Sequence, residues 1–537
     1  NMPNYKILFR FLLLILSFMF FFLSGCSKKE NVNTVSDNQP RFGGTLLYGK
    51  HGPPVTLDPA KVVETESSIL TDNIFETLVR LQPGNVDVVP GLAKSWIIAI
   101  DGLSYTFNLQ SDVRFHDGTP FDAKAVLYSL DRQKKGARRS ADQFSNWINF
   151  NMDELIREVR AVNDSTVQFK LHRADATFLK ILSMQFLAIV SPAAVEKYGA
   201  DFEKHPVGTG AFMMSASSDW NDLSLVANPN YWGERPYLDT IRFFSEPDPE
   251  KRITRLEQGE FHLIEPPPFD MLARVKRNEQ IIQFKQPGAN VSFLAMNMSK
   301  KPMSDIRVRK AVAYAINREK LVQAVYGSFG VPAKNPIPPG MLGYNDDLRP
   351  TPYNPAESER LLKEAGYKRN LKLKLWNVPL PREYMPHPEK AVEMIRSELE
   401  KVGIEIEVVT PPWETYIQDT YLGDYDLLIG GWIADIPDPD NFFYPLLSKT
   451  TVRQKGTGNS AFYDNDEMHR VLLKAKAATK TEERDQLYKN ACQIFQRDVP
   501  WFTIAHTQIV IPRRREVMNF NPYASYTRNL KNVWVKS

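Results

Sequence analysis

The sequence predicts an α/β protein of several domains, one of them built on a parallel sheet. Three observations carry this prediction. Strand and helix patterns alternate between residues 371 and 430. The chain of 537 residues is too long for a single hydrophobic core, so two to four domains are expected. Its 43% hydrophobic and 24% charged residues are ordinary for a globular chain in water.

The alternation can be read residue by residue. Leu371-Lys-Leu-Lys-Leu-Trp376 has period two and reads as a strand. From Lys390 to Val402 the spacing of Val392, Ile395 and Leu399 is helical. Ile404-Glu-Ile-Glu-Val-Val409 is a second strand, Trp413 to Leu422 a second helix, and Tyr425-Asp-Leu-Leu-Ile-Gly430 a short buried third strand. Strand–helix–strand–helix–strand implies parallel pairing with right-handed crossovers. In such a sheet the loops after the carboxyl ends of the strands line the ligand crevice.

Two of those loops carry notable charges. From Gly430 to Phe443 the chain reads as a loop, because Gly430, Gly431, Pro437 and Pro439 interrupt regular structure. It holds Asp435, Asp438 and Asp440 beside Trp432, Phe442 and Phe443, a composition suited to holding a cationic group in a partly dry cleft. A solvated turn whose aspartates cap the following segment is the plain alternative. Calcium is a minor one, since the EF-hand glycine and closing glutamate are missing. Arg382 lies in the loop after the first strand and Asp435 in the loop after the third, so a cation and an anion project from one sheet edge. A zwitterion is the natural ligand for that arrangement.

The amino-terminal end reads as a targeting segment. Lys6 and Arg10 precede an uncharged run from Phe11 to Leu23, too short for a comfortable membrane span. It ends in Leu23-Ser-Gly-Cys26, which resembles the bacterial lipobox; that resemblance implies a lipoprotein signal peptide over 1–25 and a lipidated Cys26. Residues 26–40 read as a flexible polar tether. The formal net charge of +4 is too balanced to suggest nucleic acid as a partner. Cys26 and Cys492 are the two cysteines, so no disulfide framework is expected, and Cys492 reads as a buried thiol.

Other motifs bear on chemistry. Gly44 to Lys50 has the Gly-x4-Gly-Lys spacing of a phosphate loop, but His51 stands where Ser or Thr must bind magnesium. Thr45 to Tyr48 reads as a strand, and Pro53 and Pro54 prevent the helix a phosphate loop requires. The eight histidines, His116 among them, show no metal-ligand spacing, and no Gly-x-Ser-x-Gly or His-Glu-x-x-His occurs. Neither a metal nor any other cofactor is expected, nor is enzymatic activity.

A further series of phrases runs through the chain. Ala93-Lys-Ser-Trp96 is followed by a strand ending at Leu109, by Val113-Arg-Phe-His-Asp-Gly-Thr-Pro-Phe121, and by a helix from Ala123 to about Arg132. Then come Pro206-Val-Gly-Thr-Gly-Ala-Phe212, Asn230-Tyr-Trp-Gly233, Asn297 through Pro302, and Asp305 with Arg307, Val308 and Arg309. In this order they resemble the bacterial extracellular solute-binding proteins of family 5, which serve peptide and nickel ABC transporters. Ala333-Lys-Asn-Pro-Ile-Pro-Pro339 and Gly343-Tyr-Asn-Asp-Asp347 are most similar to the dipeptide-binding members.

The resemblance implies a two-lobed periplasmic-binding-protein fold of type II, cluster C, with an extra third domain. It divides the chain into 41–80 with 206–295 and 499–537 as lobe I, 81–205 as the extra domain, and 296–498 as lobe II. It implies a monomer outside the cytoplasmic membrane, in the periplasm or at the cell surface, held there by the Cys26 lipid and delivering short peptides to permease subunits. It also implies that Asp435, in the Gly-Trp-x-x-Asp phrase with Gly431 and Trp432, holds the peptide amino group, and that Arg382 holds the peptide carboxylate. An arginine fork suits a carboxylate because it can bond both oxygens. The sequence departs from relatives at Ala434 and Ile436-Pro437, where glycine and asparagine are common, and Pro437 has no backbone donor. Haem, glutathione, nickel, an opine or an oligosaccharide remain alternative cargoes on the same fold, and a secreted peptidase is a distant rival.

Overall fold

The computed structural model describes residues 39–82, 86–216, 219–368, 371–452, 458–521 and 529–536, so the leader and Cys26 lie outside the described residues. Asn1–Arg41 and Phe42–Ser537 are separate units. The principal element of the second unit is a mixed sheet of twelve strands. One half runs Ile404–Val409, Leu371–Trp376, Leu427–Ile433, Asn290–Met296; the other runs Leu263–Ile264, Thr45–Lys50, Thr240–Ser245, Asp222–Ala227, Phe212–Met214. Between them lies the 14-residue strand Trp501–Arg514. Its first part pairs with Asn290–Met296 and its second with Ile281–Pro287. The predicted parallel unit is present, because Leu371–Trp376 pairs parallel with both Ile404–Val409 and the start of Leu427–Ile433.

At the junction of the two halves the chain is tightly bonded. Gly288 N donates to Thr507 O at 2.9 Å, and Asn290 Nδ2 donates to Thr507 Oγ1 at 2.7 Å and to Glu383 Oε1 at 3.0 Å. A Cβ on Gly288 would stand 2.3 Å from Asn290 Nδ2, so only glycine allows this approach.

Three large apolar cores accompany the sheet. One draws on residues between Ala289 and Ala505, one on residues between Ala60 and Ile189 together with Ile436, and one on the first and last strands and the segments packed on them. The second core covers a four-stranded antiparallel sheet containing Ala93–Ile98 and Ser104–Leu109. The helix that follows runs Ala123–Arg139, beyond the expected Arg132, and Gly136 leaves room for the Phe144 ring against its last turns.

The recurring phrases prove to be structural locks. Glu76 is half-buried and accepts from Thr209 Oγ1, Tyr231 OH and Trp232 Nε1 at 2.7–2.8 Å, joining the Pro206 and Asn230 phrases. A Cβ on Gly208 or Gly210 would stand 2.2 or 2.5 Å from a backbone oxygen of the Thr65–Ile74 helix, which requires glycine at both places. Asn335 and Asn345 bond each other reciprocally at 3.0–3.1 Å and so tie the two dipeptide-type phrases together. After Gly44 the Gly-x4-Gly-Lys spacing is the strand Thr45–Lys50, with Lys50 buried. Cys492 is fully buried, as expected.

His116 belongs to the same scaffold. Its Nε2 lies 3.0 Å from Gly210 O and its Nδ1 accepts from Gly208 N at 3.4 Å. Burial lowers its pKa from 6.5 to about 4, against the raising effect of Gly210 O and Asp117. The unfolded chain therefore binds more protons than the native one between those values, and stability falls as pH drops through that window. The expected slope from this residue is about 1.4 kcal/mol per pH unit. Urea titrations at pH 4.5, 5.5 and 6.5 should show a slope smaller by about that amount in His116→Gln than in the wild type, where the buried His506 contributes as well.

Candidate functional site

The Gly-Trp-x-x-Asp phrase is built differently from the sequence expectation. The third strand does not stop at Gly430 but runs Leu427–Ile433, pairing antiparallel with Asn290–Met296 in the register Gly430↔Phe293, Gly431↔Ser292, Trp432↔Val291. The glycines here permit close packing instead of a turn. A Cβ on Gly431 would stand 2.2 Å from the Tyr384 ring and 2.7 Å from Val291 O. Only Ala434–Pro439 is loop, and the helix Asp440–Leu447 begins inside the stretch expected to be irregular. Phe442 and Phe443 are fully buried on that helix in the core, so they do not wall the cleft as expected. Trp432 does.

All four predicted ligand residues, Arg382, Gly431, Trp432 and Asp435, line one cleft of about 560 Å³. Asp435 leaves the sheet edge after the third strand, and Arg382 sits in the loop after the first, where its backbone bridges Met385. Trp413, at the start of the helix after the second strand, completes this wall. The rest of the lining includes Glu64, Thr65, Ser68 and Asp72 around the helix Thr65–Ile74, and Ser183–Phe186.

Two charges of this cleft, Asp435 and Arg382, have no ion-pair partner among the described residues. Asp435 is accessible from the cleft yet crowded by protein on its other sides, and that crowding pushes its carboxyl above the usual range, opposed by the Asn441 amide. Among the described residues no cationic side chain is paired with it. Asn441 Oδ1 accepts from Asp435 N at 3.0 Å and from Trp432 Nε1 at 3.2 Å, fixing both. The Arg382 guanidinium lies over the Trp413 ring, 4.7 Å from its centroid, and has no carboxylate in ion-pair range among the described residues. Tyr384 is raised by burial and lowered by Arg382, whose guanidinium it meets.

Two side chambers open beside the cleft. One of about 160 Å³ shares Tyr384, Gly431 and Trp432 and is otherwise lined by Phe293, Tyr416 and Asn459 among others. The other, about 510 Å³, shares Thr65 and Arg382 and has the run Pro266–Pro268 in its lining.

Asp438 and Asp440 are not part of this cleft. Asp438 is fully buried, where Arg484 grips both its oxygens at 2.8 and 3.1 Å and Lys180 adds a third bond at 3.0 Å. Burial alone raises its carboxyl, but Lys180 and Arg484 outweigh it and hold it down at about 2. Asp440 accepts from Lys476 at 2.9 Å. Neither a solvated turn nor a calcium loop describes these residues; among the described residues no acidic or histidine cluster could hold a metal ion.

Asn441 and Trp413 escaped the sequence reading. Trp413 could have been found, since it opens the element after a strand of the same edge. Asn441 could not, because its role depends on where the next helix starts.

Comparison with known proteins agrees with this architecture. Residues 87–454 match the family described as "Bacterial extracellular solute-binding proteins, family 5 Middle". The chain is 34% identical over 492 residues to the dipeptide-binding protein of Escherichia coli (strain K12), covering 89% of this chain and 92% of the relative. It is 33% identical over 504 residues to heme-binding protein A of Haemophilus influenzae, covering 90% and 92%. Among solved structures it is similar to the ABC transporter-associated periplasmic binding protein DppA from Helicobacter pylori in complex with the peptide STSA. There the TM-score is 0.76 and the identity 32%, with 93% of this chain and 99% of the other covered. The fold is that of the type II periplasmic binding proteins, and the chain belongs to the bacterial extracellular solute-binding proteins, family 5.

Proposed function

We propose that this protein captures short peptides, dipeptides above all, outside the cytoplasmic membrane and delivers them to an ABC permease. The observation that carries the reading is the pair Arg382 and Asp435, which line one cleft with no opposite charge to neutralise them among the described residues. A peptide supplies both missing charges: its carboxylate to Arg382 and its ammonium to Asp435. Trp432 and Tyr384 limit water around them, which strengthens the ion pairs. Dipeptide-binding relatives support the same cargo. No bond of the ligand is changed.

We assign 41–80 with 206–295 and 499–537 to lobe I, 81–205 to the extra domain and 296–498 to lobe II, an assignment supported by the three separate cores. The sheet changes halves near Gly288 and Thr507, some seven or eight residues on the lobe I side of the assigned bounds at 295 and 499. Ligand bridging the lobes stabilises the closed form by population shift.

Fixed partners at both ends set a length limit. Two residues span at most about 7 Å, and each further one adds about 3.3–3.6 Å. Calorimetry with alanine peptides should show the tightest binding for two residues, weaker for three and far weaker for five. Equal affinity for two and five residues would remove Arg382 from its role. Haem is a second reading, favoured by the similarity to heme-binding protein A. Among the described residues the cleft lining contains no histidine or cysteine to ligate its iron. Native mass spectrometry of protein taken from its own host separates a co-purified peptide from a haem by mass.

The Leu23-Ser-Gly-Cys26 phrase supports anchoring by a lipid on Cys26. Lipoprotein processing adds more than one acyl chain, enough for stable attachment. Cys26→Ser should move the protein from the membrane to the soluble fraction or leave it unprocessed; normal processing and retention at the membrane would refute the anchor.

A further inference from the structure

The loop that presents Asp435 belongs to two cores at once. Ala434, Phe442 and Phe443 pack in the core of residues 289–505, while Ile436 between them packs in the core of residues 60–189. Two ionic contacts span the same boundary with opposite polarity. From the helix Phe178–Leu182, Lys180 donates to Pro437 O at 2.9 Å and to Asp438 Oδ2 at 3.0 Å. Asp175, just before that helix, faces Lys476 at 3.7 Å, and Ala176 N donates to Lys476 O at 2.8 Å.

Each side keeps its own partners. Asp438 retains the two bonds of Arg484 and one from Asp440 N, and Asp440 retains Lys476. Asp175 accepts from Thr177 N and Oγ1 at 2.9 and 2.6 Å. Parting the two sides therefore strands no buried ion. Asp438–Arg484 and Asp440–Lys476 stay neutral pairs, and only Lys180 and Asp175 return to water. A contact with that property can open and reclose, whereas a core ion that loses its sole partner cannot. The segment that carries Lys180 continues directly into Ser183–Phe186, which line the same cleft as Asp435.

We propose that Lys180 is a positioning residue for ligand capture. In the closed arrangement it grips Pro437 and Asp438 and so holds Asp435 in place for the ligand ammonium; on opening it lets go. Binding and closure are thereby coupled through a residue that touches no ligand. The proposal rests on the assignment of Asp435 above, and its test separates the two.

Lys180→Met, Lys180→Arg and Arg484→Ala are compared with wild type in the full chain. Three quantities are read: the thermal midpoint without ligand, the dissociation rate of alanyl-alanine, and the distance distribution between spin labels on the two lobes without ligand. Lys180→Met should lower the midpoint far less than Arg484→Ala, because Arg484 still pairs with Asp438, release alanyl-alanine about tenfold faster, and shift the ligand-free distances toward open forms. Lys180→Arg should restore the slow release, and Arg484→Ala should lower the midpoint. Wild-type release and wild-type distances in Lys180→Met would overturn the proposal, as would a midpoint loss equal to that of Arg484→Ala. If the wild type does not bind alanyl-alanine, the peptide reading fails, and the ligand-free distances still decide for or against the latch.

Discussion

Asp435→Ala should weaken dipeptide binding by roughly two to three and a half decades, the equivalent of about 3–5 kcal/mol. The substitution leaves a ligand ammonium enclosed beside Trp432 with no counter-charge, and the cost of an unpaired desolvated ion sets the scale. The fold should be unaffected, because the bond from Asp435 N to Asn441 Oδ1 is made by the backbone and survives in alanine. N-acetylated dipeptides, lacking the charge, should be rejected by the wild type to a similar degree. A pH effect accompanies this. The free Asp435 carboxyl titrates above the usual carboxylate range, and only its ionised form pairs with an ammonium. Affinity should therefore fall as pH drops through that raised value, and the fall should be absent in Asp435→Asn. Calorimetry with one dipeptide and its acetylated form, at two pH values, tests all of this. Wild-type affinity in Asp435→Ala would end the site assignment and leave the fold intact.

Asp438→Ala, three residues away, should act on stability. It removes the carboxylate gripped by Arg484, whose side chain is 8% exposed, and leaves that guanidinium unpaired in the interior together with Lys180. Breaking one side of a buried pair costs about 3–5 kcal/mol. Urea unfolding of the ligand-free protein should show this loss, and Asp438→Asn, which keeps the shape but not the charge, should lose nearly as much. Asp435→Ala in the same assay should stay within about 0.5 kcal/mol of wild type, as surface substitutions generally do. The two aspartates thus separate cleanly: one is read by calorimetry, the other by denaturation. A wild-type unfolding midpoint in Asp438→Ala would show that the triad contributes nothing to stability.

The contrast between these aspartates marks the limit of what a sequence discloses. Period-two alternation in Leu371–Trp376 and Ile404–Val409, with helical spacing between, determined a parallel unit and hence which loops share an edge. That topology alone placed Arg382 and Asp435 together, since in a parallel unit every strand ends on the same side. The apolar setting of Cys492 marked it as buried in the same way. Such features depend on each residue and its near neighbours, and they are legible for that reason.

Other features depend on partners far along the chain. Gly430 and Gly431 suggested a turn, yet the strand Asn290–Met296, about 140 residues earlier, pairs with them, and Tyr384 needs the space a Cβ would fill. Phe442 and Phe443 looked like cleft walls, but the helix from Asp440 turns them into the core. Asp435, Asp438 and Asp440 are alike as letters. Tertiary structure opens the first to a cleft and delivers Arg484, Lys180 and Lys476 to the other two, from 36 to 258 positions away. The sequence alone determined the parallel unit and the edge that carries Arg382 and Asp435, because hydrophobic period is local; only the folded chain decided which carboxylate opens to the cleft, because a charge is exposed or paired according to what packs against it.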